Sequence, residues 1–104
     1  MQVAYYQAPI PEFLLANESE ILGRLARAHG YLLEQQQRNA WLEQVQIMRQ
    51  ALRDFKIGHI LFEFAIPRMG KRADVVLVSG GTILVLEFKV GATTFDRVAN
   101  RAST

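Results

Sequence analysis

The stretch RADVVLVSGGTILVLEFKVG, Arg72 to Gly91, decides how this chain folds. Two apolar, β-branched runs flank Gly80-Gly81, and Gly-Gly suits the two positive-φ positions of a type I′ turn. The stretch therefore predicts a β-hairpin with strands at about 73–79 and 82–90. A two-residue loop fixes register: Ser79 faces Thr82, and counting outward sets Asp74 opposite Glu87. Side chains alternate along a strand, so Asp74, Glu87 and Lys89 fall on one face. Val76, Val78, Ile83 and Val85 share that face, and the other is also apolar, so both faces are expected to be covered.

That placement has an energetic cost. Directly opposed residues have Cβ atoms about 4.5–5.5 Å apart, where like charges repel, and a partly desolvated charge needs compensation. Lys89 offers one partner, with Arg68 and Arg72 nearby in sequence, and that is the purely structural account. A divalent cation offers another, because Mg²⁺ is a hard ion held by one or two carboxylates with waters and substrate phosphates completing its shell. Two acids with one lysine fit the cation better.

Working outward, HILFEFAI, about 59–66, predicts a third strand, bounded by Gly58 and Pro67. Upstream, Asn17 with Glu20 three residues later marks a helix N-terminus, and Ile21, Leu22, Leu25 and Ala28 continue at helical spacing to Gly30, giving a helix at about 17–29. Trp41, Val45, Met48, Leu52 and Phe55 step by four and three, predicting a core-facing stripe on a helix at about 38–55. YLLEQQQRN between them reads as solvated helix or linker. Phe95, Val98, Ala99 and Ala102 predict the start of another amphipathic helix at about 94–102. The expected class is α/β (α+β): two N-terminal helices, then a three-stranded, mostly antiparallel sheet.

Composition narrows the chemistry. The 104 residues fit one domain, half of them hydrophobic. With no cysteine, and only His29 and His59, neither a disulfide framework nor a thiolate or histidine metal centre is expected, and any metal is held by oxygen. No basic, apolar leader opens the chain and no run approaches membrane-spanning length, so a cytoplasmic protein without a membrane partner is expected. Net charge is +2 and the sequence pI 9.3, a mild lean towards anionic partners. PRMGKR concentrates that lean at Arg68, Lys71 and Arg72. MGKR is not a phosphate loop, since Ala65 stands where the first glycine is needed and Arg72 where Ser or Thr is needed.

An aspartate on one strand and Glu-x-Lys at the end of the next, after a helix and a strand, resembles the PD-(D/E)xK nuclease superfamily, the restriction-endonuclease-like fold. The matching residues are Asp74 and Glu87-Phe88-Lys89, with 12 residues between the acids and Ala73 at the proline of the motif's name. FLLANESEILGRLA, AWLEQVQIMRQAL, FEFAIPRMGKRADVVLV and VLEFKVGATTFDRVA further resemble the nuclease-like region that precedes a P-loop helicase-type ATPase in some bacterial proteins. The resemblance implies that Asp74, Glu87 and the Phe88 carbonyl hold Mg²⁺ or Mn²⁺ and that Lys89 orients or activates the attacking water, with Glu63 and Glu43 as candidate further acids. It implies hydrolysis of phosphodiester bonds in nucleic acid, DNA ahead of RNA, with Arg68, Lys71 and Arg72 near the phosphates. The alternative is a catalytically inactive module of the same fold that binds nucleic acid or a partner. The superfamily core continues into a further helix and strand, so residues 1–104 are expected to be a single, incomplete nuclease-like domain, and the narrower resemblance implies a separate C-terminal ATPase or helicase region as its partner.

Overall fold

The computed structural model describes residues 3–30 and 34–89. The elements run β1 (Ala4–Pro9), α1 (Ile10–Leu15), α2 (Glu18–His29), α3 (Gln35–Leu52), β2 (His59–Ile66), β3 (Lys71–Ser79) and β4 (Thr82–Leu86). Four strands form one sheet in the order β1-β2-β3-β4, every neighbouring pair antiparallel. The fold is mixed α+β. The helix expected at about 94–102, and residue 90 of the strand expected to end there, lie outside the described residues.

The hairpin turn forms as its sequence predicts, but β4 ends at Leu86, so Glu87 and Lys89, expected inside a strand running to about 90, follow it instead. Gly80 and Gly81 take φ of 52° and 83°, and the ladder runs from Ser79 with Thr82 to Val75 with Leu86. The capping signals of α2 also hold. The Asn17 side chain accepts the Ser19 N–H at 2.7 Å, and Gly30 ends the helix at φ 76°.

Four expectations are corrected. The sheet has four strands rather than three, because AYYQAP pairs along β2, with Tyr6 beside Phe62 and Ala8 beside Ile60. Its two alanines carry little strand preference, and Pro9 is tolerated at the end of an edge strand, so composition hides it. Next, three helices rather than two precede β2 among the described residues: α1 is additional to the two expected, and Pro11 lies in its first turn, where its missing N–H costs nothing. Third, α3 spans Gln35–Leu52, taking in the glutamine run. Phe55 falls in the following turn, 47% exposed, its N–H bonded to the Leu52 carbonyl. Finally, the described residues do not cover the hairpin on both sides. The helices pack against β1, β2 and one another, which leaves β4 at the far edge with Ile83, Leu84 and Val85 exposed by 65%, 44% and 39%.

The core gathers where the helices meet β1 and β2. Phe13 of α1 packs its ring 5.7 Å from Phe62 and 6.4 Å from Tyr6, while Ile21, Trp41 and Val45 close it from α2 and α3. Gly58 locks this arrangement. At φ 114° a Cβ there would lie 3.0 Å from both Ile10 Cδ1 and the Val78 carbonyl oxygen, and the Gly58 carbonyl accepts the Ile10 N–H at 2.9 Å. No helix among the described residues is long and apolar enough to cross a membrane.

Candidate carboxylate site

The β3–β4 ladder closes at Val75 and Leu86, one step short of Asp74 and Glu87. There the chain exchanges a ladder bond for a side-chain bond: the Phe88 N–H donates to Asp74 Oδ2 at 2.7 Å. Asp74 is half-buried, and that burial raises its pKa from the ordinary 3.8 while the Phe88 bond pulls it back. Glu87 is exposed, yet its pKa is also raised, first by such desolvation as it has and then by the negative charge of Asp74, with Lys71 and a hydrogen bond from the Asp74 backbone acting against them. Asp74 thus acts electrostatically on Glu87, although the two are not the ladder pair that the register predicts. Lys89 is exposed two residues beyond. Phe88 enters through its backbone N–H, and its ring packs partly against the core.

A third carboxylate belongs to the same row. Phe62 pairs with Tyr6 and Val75, and Phe64 with Ala4 and Ala73, so Glu63 sits between Tyr5 and Asp74, yet the ladder skips it on both sides. Its φ is 57°, a left-handed conformation inside a strand that costs an L-residue about 1–2 kcal/mol. Three groups hold it there. Arg72 Nη1 donates to the Glu63 carbonyl at 2.7 Å, and the same guanidinium lies 4.3 Å from the Tyr5 ring centroid. Trp41 Nε1 donates to Glu63 Oε2 at 3.2 Å, and the Trp41 ring meets Tyr5 and His29 edge-on at 6.4 and 5.8 Å. Burial raises the Glu63 pKa from the ordinary 4.5; the Trp41 bond opposes this, the charge of Asp74 adds to it, and Arg72 and His29 pull against it.

The remaining predicted residues separate from this row. Glu43 is exposed on α3, and among the described residues no recorded bond joins it to Asp74, Glu63 or Glu87. Arg68, at φ 67°, and Lys71 are exposed around the β2–β3 turn, free to meet a solvated partner, whereas Arg72 is half-buried against Tyr5 and Glu63. His59 is exposed at the start of β2, and His29 ends α2. The sequence reading placed Trp41 among core residues and left Tyr5 out of the site. A usable signal was present: a buried indole needs an acceptor for its N–H, and Glu63 is the carboxylate inside an otherwise apolar strand. Among the described residues, no three His, Cys, Asp or Glu side chains group closely enough to hold a metal ion by themselves.

Searches with the whole chain against protein-family models, curated proteins and solved structures returned no match.

Proposed function

We propose that this chain is a metal-dependent phosphodiesterase domain of the PD-(D/E)xK type, acting on nucleic acid and on DNA ahead of RNA. The observation that carries the reading is the open end of the β3–β4 hairpin, where Asp74 and Glu87 lie one step beyond the last pair, Val75 with Leu86, and the charge of Asp74 raises the proton affinity of Glu87. The donor chemistry fits a hard divalent cation: two carboxylates with raised proton affinity, with the charge of Lys71 only partly offsetting the rise at Glu87. Asp74 and Glu87 would hold Mg²⁺ or Mn²⁺, which supplies an activated water and charge neutralisation when bound. With two carboxylates as protein ligands, the ion would keep several waters and take substrate oxygens. Lys89, exposed and two residues from Glu87, serves to orient the water and offset charge on the phosphate. Arg68 and Lys71 supply non-specific attraction to the phosphate backbone. A C-terminal ATPase or helicase region as covalent partner, and a cytoplasmic setting, belong to the same proposal.

One observation favours the second reading, an inactive binding module of this fold: Asp74 already spends one oxygen on the Phe88 N–H. The test separates the two. Mg²⁺- or Mn²⁺-dependent cleavage of duplex DNA is expected, lost in Asp74→Asn, which keeps the acceptor for Phe88, and in Lys89→Ala, with far-UV circular dichroism unchanged. Cleavage intact in both variants would sink the nuclease. Salt-sensitive DNA binding without cleavage would select the binding module.

A further inference from the structure

Arg72 stands in the basic PRMGKR run beside Lys71, and from sequence alone the two are equivalent phosphate contacts. The geometry makes them different residues. Lys71 is exposed, whereas the Arg72 guanidinium stacks 4.3 Å above Tyr5 and spends Nη1 on the Glu63 carbonyl at 2.7 Å. That carbonyl belongs to the left-handed residue the ladder skips, and the same residue's carboxylate receives the Trp41 indole N–H. Four elements thus converge on one strained peptide: β1 through Tyr5, β2 through Glu63, β3 through Arg72 and α3 through Trp41. A left-handed glutamate persists inside a strand only where its surroundings over-determine it, and such outliers concentrate at working sites. A planar, always-charged guanidinium suits this clamp because it stacks and donates at once, which an ammonium does not do equally well.

We propose that Arg72 is a positioning residue for the carboxylate row rather than a nucleic-acid contact: clamped on Tyr5, it fixes the Glu63 backbone so that the Glu63 carboxylate is held by Trp41 level with Asp74. The consequence for catalysis rests on the nuclease reading; the clamp itself does not. Basic residues around the β2–β3 turn therefore divide the labour, with Arg68 and Lys71 meeting phosphate and Arg72 shaping the floor beneath it.

The experiment uses the full chain and a short DNA duplex, with Arg72→Ala, Arg72→Lys, Lys71→Ala and, as a second way to loosen the clamp, Tyr5→Leu, each checked for fold by circular dichroism. Trp41 is the only tryptophan, so intrinsic fluorescence reads the Glu63 bond directly. Arg72→Ala and Tyr5→Leu are expected to shift the emission maximum in the same direction as Glu63→Ala, and Lys71→Ala to leave it in place. Arg72→Lys, which keeps the charge and loses the planar fork, is expected to behave as Arg72→Ala. With the duplex, Arg72→Ala lowers kcat by about 100-fold at unchanged KM, as misplacement of a site does. Lys71→Ala instead weakens binding and reduces the salt slope by about one. Unshifted emission in Arg72→Ala and Tyr5→Leu, full recovery with lysine, or a reduced salt slope in Arg72→Ala would each overturn the proposal. If the unmutated chain neither binds nor cuts DNA, the nuclease reading fails, and the emission measurements alone decide the clamp.

Discussion

The two ends of β3 differ in how they solve the same problem. At the Ser79 end the ladder is unbroken to the last pair, the positive-φ positions are glycines, and the neighbouring side chains on β4 are exposed and apolar. At the Lys71 end the ladder skips Glu63 beside Asp74, a glutamate takes the left-handed conformation, and burial raises the proton affinity of both carboxylates. One end is built from local turn rules and would form in almost any hairpin. The other is maintained by residues from β1, β3 and α3, against the preferences of its own strand. Strain and desolvated charge kept together at one end, while the other stays regular, is the pattern of a site rather than of a fault in the sheet.

The contrast can be broken at its base. Phe62 is fully buried next to Glu63 and packs on Tyr6 and Phe13, so Phe62→Ala is expected to cost about 3–5 kcal/mol in denaturant unfolding. A loss under about 1 kcal/mol would mean that the strained end does not lean on this core. At the regular end the vulnerable point is the backbone: Gly58→Ala forces a Cβ against the Val78 carbonyl at positive φ and is expected to cost about 1–3 kcal/mol. Gly80→Ala meets nothing within 4 Å, so its smaller loss measures the conformational part alone.

The pH response sharpens the comparison. Glu63 and Asp74 bind their protons more tightly in the folded chain than at their ordinary values of 4.5 and 3.8. For an acid shifted upward, the stabilisation is complete below the unfolded pKa and is lost as pH rises through the folded one. Unfolding midpoints are therefore expected to fall as pH rises from about 4 towards neutrality, and Glu63→Gln to flatten that slope. A slope unchanged in Glu63→Gln would remove Glu63 from the charged row. The smallest effect belongs to the exposed edge, where Ile83→Thr is expected to stay within about 0.5 kcal/mol by the same unfolding measurement.

Much of this arrangement is legible in the sequence because the rules involved are short-range. Gly80-Gly81 dictates the register of the ladder from Ser79 with Thr82 to Val75 with Leu86, one step from Asp74 and Glu87, and Asn17 and Gly30 dictate the bounds of α2. What escapes sequence reading is long-range. β1 has too little intrinsic strand preference to be recognised without its partner β2, and Phe55 continues a helical spacing past Leu52, where the helix ends. At the site, the nearness of Asp74 and Glu87 follows from counting, but the separation of Arg72 from Lys71 depends on where Tyr5 lies, and the φ of Glu63 is set by contacts from Arg72 and Trp41 that no local pattern shows. Backbone strain leaves no mark in composition.

The position of β1 has one more consequence, for the order in which the chain assembles. β2, β3 and β4 follow one another through short turns, so their pairing closes small loops at little entropic cost. β1 pairs with β2 only after α1, α2 and α3, all of which lie between them in sequence, have been gathered into a compact loop. The meander is thus free to form early and β1 to dock late, carrying Tyr5 with it. Until that strand arrives, Arg72 has no ring to stack on, so the clamp on Glu63 is expected to close only when β1 docks, after Asp74 and Glu87 have met in the hairpin.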